Sequence, residues 1–105
     1  MDLILTVQST ANNWRLGFNT IDSISLFEHR ELLIIELNSN TIIECRCACG
    51  TGKKKAFDIN SKVLSEWIVK NSFQIYPPGE PSRLSFIITI ANGVKILTFR
   101  SKHIL

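Results

Sequence analysis

The stretch "ECRCACGTGKKKAF", residues 44–57, gathers the residue types best suited to chemistry. Cys45, Cys47 and Cys49 stand at every second position, and Lys53, Lys54 and Lys55 follow across a glycine-bearing turn. Three thiols suggest a zinc site, a glycine–lysine turn suggests a phosphate loop, and a thiol beside cations suggests a reactive cysteine. Each reading makes a geometric demand. Structural zinc sites take pairs of cysteines with two to four residues between them, usually from two places in the chain, whereas here only one residue separates each pair. On a strand, alternate side chains lie about 6.6–6.8 Å apart. Sulfurs held at roughly 2.3 Å from one zinc lie within about 4 Å of each other. His29 and His103 are the only histidines that could complete such a site. The spacing therefore predicts no metal and no cofactor, and cysteines that act as small buried apolar groups. Cys49 is the candidate reactive thiol, because it ends the strand beside Gly50 and Lys53, where cations favour thiolate.

A nucleotide phosphate loop needs four residues between its glycines, then lysine and a hydroxyl residue leading into a helix. Here Cys47 occupies the place of the first glycine and Lys54 that of the hydroxyl residue, so the motif is excluded. Lys53, Lys54 and Lys55 read as the basic tip of a hairpin. Such a tip is either simply solvated or touches a phosphate backbone, which it would hold without reading sequence. Catalytic equipment is sparse. His29 sits in "FEHRE" with Asp22, Glu28, Arg30 and Glu31 nearby, a grouping that reads as a charged connection. No Gly-x-Ser-x-Gly, paired-histidine or Asp-x-Asp pattern is present, and the chain is not expected to be an enzyme. Trp14, Arg15 beside it, and Tyr76 before "PPG" are the candidate partner-binding residues, since aromatics beside cations suit a protein hot spot or base stacking.

The elements that must hold these residues are mostly strands, because period-2 alternation dominates. Leu3, Leu5 and Val7 alternate in a first strand, "QSTANN" is a loop, and Trp14, Leu16 and Phe18 share one side of a second strand. Ile24 and Leu26 mark another short segment. "ELLIIELNSNTIIECRCAC" is a hairpin turning at Asn38-Ser39-Asn40. A three-residue loop sets Leu37 against Thr41, Ile35 against Ile43 and Leu33 against Cys45, which sends Glu36, Glu44 and Arg46 outward. A two-residue loop would set Glu36 beside Ile43 instead, so the three-residue loop is preferred, with Asn40 left-handed. The one helix, about residues 60–71, carries Val63, Leu64, Trp67 and Ile68 as a stripe, with Asn60 or Ser61 as its cap and Asn71 at its end. "YPPGEPS" is a turn. Asn92-Gly93 closes a second hairpin that puts Phe86, Ile88, Leu97 and Phe99 on one face. Ile87 then meets Thr98, Thr89 meets Ile96 and Ser85 meets Arg100.

Seven or eight strands and one helix predict an α+β domain with a twisted, mostly antiparallel sheet or partial barrel. At 105 residues, 45% of them hydrophobic, residues 1–105 form a single domain that needs neither disulfide nor metal to fold. No apolar run reaches the roughly 18 residues of a membrane span, and "MDLILTVQST" lacks the basic flank of a signal peptide. An odd, crowded set of cysteines argues against a secreted disulfide framework. A cytoplasmic protein without a membrane partner is expected. The net charge of +3 suits an acidic protein partner and permits nucleic acid without requiring it. By elimination, the expected function is non-catalytic protein binding of the inhibitor or immunity type, occupying a partner's surface. The alternative is a small nucleic-acid-binding β domain using Lys53, Lys54, Lys55, Arg15 and Arg100.

Overall fold

The two hairpins anticipated above lie side by side in one sheet in a computed structural model of the chain, which describes residues 2–18, 27–49 and 57–103. Eight strands, β1 (Asp2–Ser9), β2 (Trp14–Phe18), β3 (Leu32–Asn38), β4 (Thr41–Arg46), β5 (Ala48–Cys49), β6 (Phe57–Ile59), β7 (Arg83–Ala91) and β8 (Val94–His103), accompany one helix, α1 (Lys62–Lys70). They form a single sheet in the order β4-β3-β8-β7-β1-β2-β6-β5. Every neighbouring pair is antiparallel except β3 and β8, which run parallel. The expected strand through Ile24 and Leu26 lies outside the described residues, as does the Lys53–Lys55 tip. No described helix is long and apolar enough to cross a membrane.

The sheet order explains why the domain curls nearly into a barrel. Its two outermost strands, β4 and β5, are consecutive pieces of one chain segment with only Cys47 between them. That segment lies beside β3 in its first part and beside β6 in its second, so the sheet's ends must approach each other. The seam is sealed from the residues before β3. Cys47 donates its N–H to the Glu31 carbonyl at 3.1 Å, and its own carbonyl accepts from Arg30 N–H at 2.9 Å. Leu5, Leu16, Leu33, Ile35, Phe57, Leu84, Phe86 and Leu97 fill the interior. Each comes from the alternate positions that a strand turns toward one face.

The hairpins follow the expected registers in their interiors and depart from them at the ends. Ile35 faces Ile43 and Leu33 faces Cys45, but the turn itself has two residues, Ser39 and Asn40, with Asn38 opposite Thr41. A bulge absorbs the difference between Glu36 and Asn38, so both the buried alternation and a tight turn are kept. Asn40 does not adopt the left-handed conformation expected of it. The Asn38 side-chain oxygen instead accepts its N–H at 2.8 Å. In the β7–β8 hairpin, Asn92 and Gly93 have φ of 53° and 79°, as a type I′ turn requires. Phe86 faces Phe99 and Ile87 faces Thr98, but a bulge between Ser85 and Phe86 turns Ser85 to Ser101 rather than Arg100.

Helix α1 begins at Ser61, whose side chain accepts from Leu64 N–H. It ends in a Schellman arrangement, with Phe73 N–H bonded to the Ile68 carbonyl, Ser72 N–H to the Val69 carbonyl, and Ser72 at φ 60°. Leu64, Trp67 and Ile68 are buried as expected, but Val63 is 44% exposed and Ser65 is buried in its stead. The reason is polar: the Ser65 hydroxyl accepts Trp14 N–H at 2.9 Å, tying α1 to the start of β2. Trp67 packs edge-to-face on Phe99 at 4.9 Å, and Phe73 and Phe86 complete the aromatic cluster.

Candidate functional site

The segment after α1 has no strand or helix to fix it, so turns must do so. Pro77, Pro78, Gly79 and Glu80 form a turn closed by Glu80 N–H to the Pro77 carbonyl at 3.0 Å, with Gly79 at φ 77°. Proline second and glycine third is the chemistry of a type II turn. The turn stands against the paired ends of β7 and β8, where Arg83 faces His103 across the ladder and Leu84 faces Lys102. Directly opposed residues leave the same side of a sheet, so Arg83 and His103 project together.

Between turn and strands lies a cleft of about 420 Å³ lined by Tyr76, Glu80, Ser82, Arg83, Lys102 and His103, with prolines on its turn side. That volume falls in the usual range for small-ligand sites, about 300–1,000 Å³. Tyr76 supplies an aromatic wall and meets Trp14 edge-to-face, with ring centroids 6.4 Å apart and planes at 82°. Ser82 is 3% exposed, and its hydroxyl is one of two buried side-chain polar atoms without a hydrogen-bond partner among the described residues. Its carbonyl, by contrast, accepts Val7 N–H at 2.9 Å, which fixes the backbone. The cleft's lining thus includes an arginine, a lysine, a histidine, one carboxylate, a tyrosine and a serine whose hydroxyl is buried.

The residues singled out in the sequence are dispersed. Trp14 and Tyr76 come together at the cleft's aromatic side. Arg15 alternates away from Trp14, donates to the Gln8 side-chain oxygen at 3.2 Å and lies 3.6 Å from the Asp58 carboxylate. Arg100 is exposed on β8.

The three cysteines point to the interior and the seam. Burial pushes the Cys45 thiol up to about 11 and, with Cys49 and Glu31 beside it, the Cys47 thiol up to about 12. Cys47 Sγ donates to the Glu28 carbonyl at 3.2 Å. Cys49 is buried, its Sγ 3.9 Å from the Phe27 carbonyl, and burial also raises its thiol. That direction is opposite to the cation-favoured thiolate expected from the sequence. His29 is engaged at the same seam, its Nδ1 accepting Cys49 N–H at 3.1 Å. No group of three potential metal ligands is found among the described residues.

Two features lay beyond the sequence reading. One is the Glu31–Lys95 ion pair, at 2.9 Å, with Lys95 also 5.3 Å from the Phe27 ring centroid. Lys95 faces Leu33 on β3, so an inward-directed ammonium is held by a carboxylate and a ring face. Burial alone would raise the Glu31 carboxyl, but the Glu28 N–H and Lys95 together hold it below its usual range. The other is the cleft itself. Its signal was present in the Asn92-Gly93 hairpin, whose arms, followed outward, bring residues near 83 against residues near 102. No family model matches the chain, and no curated protein or solved structure matches it.

Proposed function

We propose that this chain is a non-catalytic protein-binding module of the inhibitor or immunity type, acting in the cytoplasm by occupying a partner's surface. The observation that supports the reading is the Tyr76–Trp14 pair beside the cationic cleft. Binding hot spots favour tyrosine, tryptophan and arginine around a pocket. A ring already braced by a neighbour loses little conformational freedom on contact. Arg83 and Lys102 at its side favour an acidic partner surface and would speed encounter with it.

The test is capture from native cell extract with nuclease-treated, tagged protein, comparing wild type with Tyr76→Ala. The expected outcome is a stoichiometric protein partner whose affinity falls roughly thirtyfold or more in the variant, as for a hot-spot residue. A partner held equally well by Tyr76→Ala would refute the assignment of the anchor. An eluate dominated by nucleic acid would refute the function.

A second reading, nucleic-acid binding, is favoured by Arg83, Lys102 and His103 standing beside an aromatic ring. The Lys53, Lys54 and Lys55 tip, through which the sequence suggested phosphate contact, lies outside the described residues. Salt separates the two: nucleic-acid affinity falls steeply with log salt in proportion to the phosphates contacted.

A further inference from the structure

We infer that His29 is an acid-released latch on the barrel seam: its neutral ring holds the Cys49 end of β5, and protonation lets that end go. The seam is a short ladder. Arg30 N–H reaches the Cys47 carbonyl at 2.9 Å, and Cys47 N–H reaches the Glu31 carbonyl at 3.1 Å. Two residues further on, Cys49 N–H needs the next acceptor. It finds no carbonyl but the Nδ1 of His29, at 3.1 Å. A ring nitrogen thus stands where a neighbouring strand would offer a carbonyl. Unlike a carbonyl, it can be switched off. Imidazole accepts at one nitrogen only while neutral, and in the imidazolium both nitrogens are donors. The bond also fixes the tautomer, with the proton of the neutral ring on Nε2.

The turn that carries the ring is itself constrained. Glu31 N–H bonds the Glu28 carbonyl at 3.1 Å, and Glu28 N–H bonds the Glu31 side chain at 2.9 Å. Arg30 sits at φ 64°, a conformation that residues other than glycine keep only where surrounding contacts over-determine it. From that turn, the Arg30 N–H and the His29 ring both reach the 47–49 segment. His29 is exposed and open to solvent protons, whereas Cys49 is buried. The charged groups around the latch are Glu28, Arg30 and Glu31 of its own turn, Lys95 of β8 on Glu31, and Arg46 of β4 on the Arg30 carbonyl. Asp58 of β6 lies opposite Ala48, and the Cys47 and Cys49 thiols are raised by burial. Carboxyl, guanidinium, ammonium and such thiol groups ordinarily titrate outside about pH 5–8, and imidazole within it. Acidification through that window therefore acts on one rung. The two backbone bonds of Cys47 stay, and the change is confined to β5 and to the edge of β6 that β5 covers.

The test is an NMR titration of the isotope-labelled chain from about pH 8 to about pH 5. It follows the His29 ring nitrogens, the amide shifts, and amide hydrogen exchange corrected for its intrinsic rate. The expected result has three parts. Nδ1 is the unprotonated nitrogen of the neutral His29 ring, and the Cys49 amide shift follows the ring through its titration. Protection of the Cys49 amide falls severalfold to about tenfold on protonation, as for one lost hydrogen bond, while Cys47 keeps its protection. His29→Ala should show the low Cys49 protection at every pH. His103→Gln, which removes the other histidine, should leave the pH dependence in place. If His29→Ala fails to fold, the wild-type ring and amide curves still decide the matter. An Nδ1–H tautomer in the neutral ring, Cys49 protection unchanged across the titration, or the same pH dependence in His29→Ala overturns the proposal. Loss of Cys47 protection in step with Cys49 also overturns it, because the seam would then be opening as a whole. The titration needs no protein partner, so its failure leaves the protein-binding reading standing.

Discussion

Gly17 offers the sharpest test of the barrel's geometry. It sits in β2 between Thr6 of β1 and Asp58 of β6. A Cβ built on it would lie 2.5 Å from the Phe57 carbonyl oxygen and 2.9 Å from the Gln8 side-chain oxygen. Close carbon–oxygen contacts in sheets are about 3.3–3.6 Å, so the Phe57 carbonyl would have to retreat by roughly 0.8 Å. It belongs to the backbone of a paired strand, and the Gln8 oxygen is held by Arg15. Neither moves freely. Forcing an added carbon into packed structure costs about 1–3 kcal/mol. The entropy removed from the unfolded chain by Gly→Ala offsets about 0.4–1 kcal/mol of that. Clash wins, and Gly17→Ala should lose about 1–2 kcal/mol, a fall in melting temperature of roughly 4–15 °C for a domain of this size. Thermal melts and urea midpoints measure it. Gly93→Ala is the instructive control: it has open space around it but φ of 79°, so its penalty is conformational alone. A Gly17→Ala protein melting at or above wild type would refute the β1–β2–β6 packing.

Ile43→Asp tests the β3–β4 register. Ile43 is 9% exposed and faces Ile35, so the change forfeits roughly 1.5–3 kcal/mol of burial and adds an unpaired buried charge. No cooperative melt is expected, and a melting temperature within a few degrees of wild type would show the register wrong. The titrating groups predict opposite losses at the two ends of the pH scale. The Cys45 and Cys47 thiols are raised from 9.0 to about 11 and about 12, so their stabilisation is full below pH 9.0 and drains as pH rises through the folded values. The slope is up to about 1.4 kcal/mol per pH unit for each thiol. Denaturant midpoints above that pH should fall less steeply in the Cys45→Ala, Cys47→Ala double variant. Glu31 is lowered from 4.5, so its contribution is present above that value and lost as pH falls through the folded one. Glu31→Gln should flatten that acid limb.

Local rules carried the sequence reading furthest where two of them agreed. Asn-Gly fixed a type I′ turn and alternation fixed which side of β7 and β8 faces inward, so Phe86 opposite Phe99 was legible. The bulge beyond it was not, because nothing local marks Ser85 as the place where one strand gains a residue on the other. That single slip also decides that Arg83 meets His103 rather than Lys102. Ser65 was missed for a different reason. Hydrophobic periodicity favours Val63 for the buried stripe, but a backbone N–H at the start of β2 needed an acceptor, and the need arises more than fifty residues away. The Glu31–Lys95 pair, and the parallel pairing of β3 with β8 that brings Lys95 beside Leu33, are likewise long-range.

The residues that looked most reactive in the sequence are those that barrel closure consumes. A segment that must pair with β3 and then with β6 has to bend, and it does so at Cys47, whose N–H and C=O both turn to residues 30–31. Alternation on either side of the bend then draws Cys45 and Cys49 toward the core. Cys45 packs half-buried against it, and Cys47 and Cys49 are buried. The same closure constrains how a partner can be recognised. Adding a strand requires an exposed edge and is discouraged by charge along it. The outermost strand β4 bears Glu44 and Arg46 on its exposed positions, and the Arg46 guanidinium reaches the Arg30 carbonyl across the seam at 2.9 Å. Charged side chains at such an edge oppose pairing with another chain. Under the proposed protein-binding reading, recognition then falls to side-chain surfaces, among them the cleft lined by Tyr76, Ser82 and Arg83.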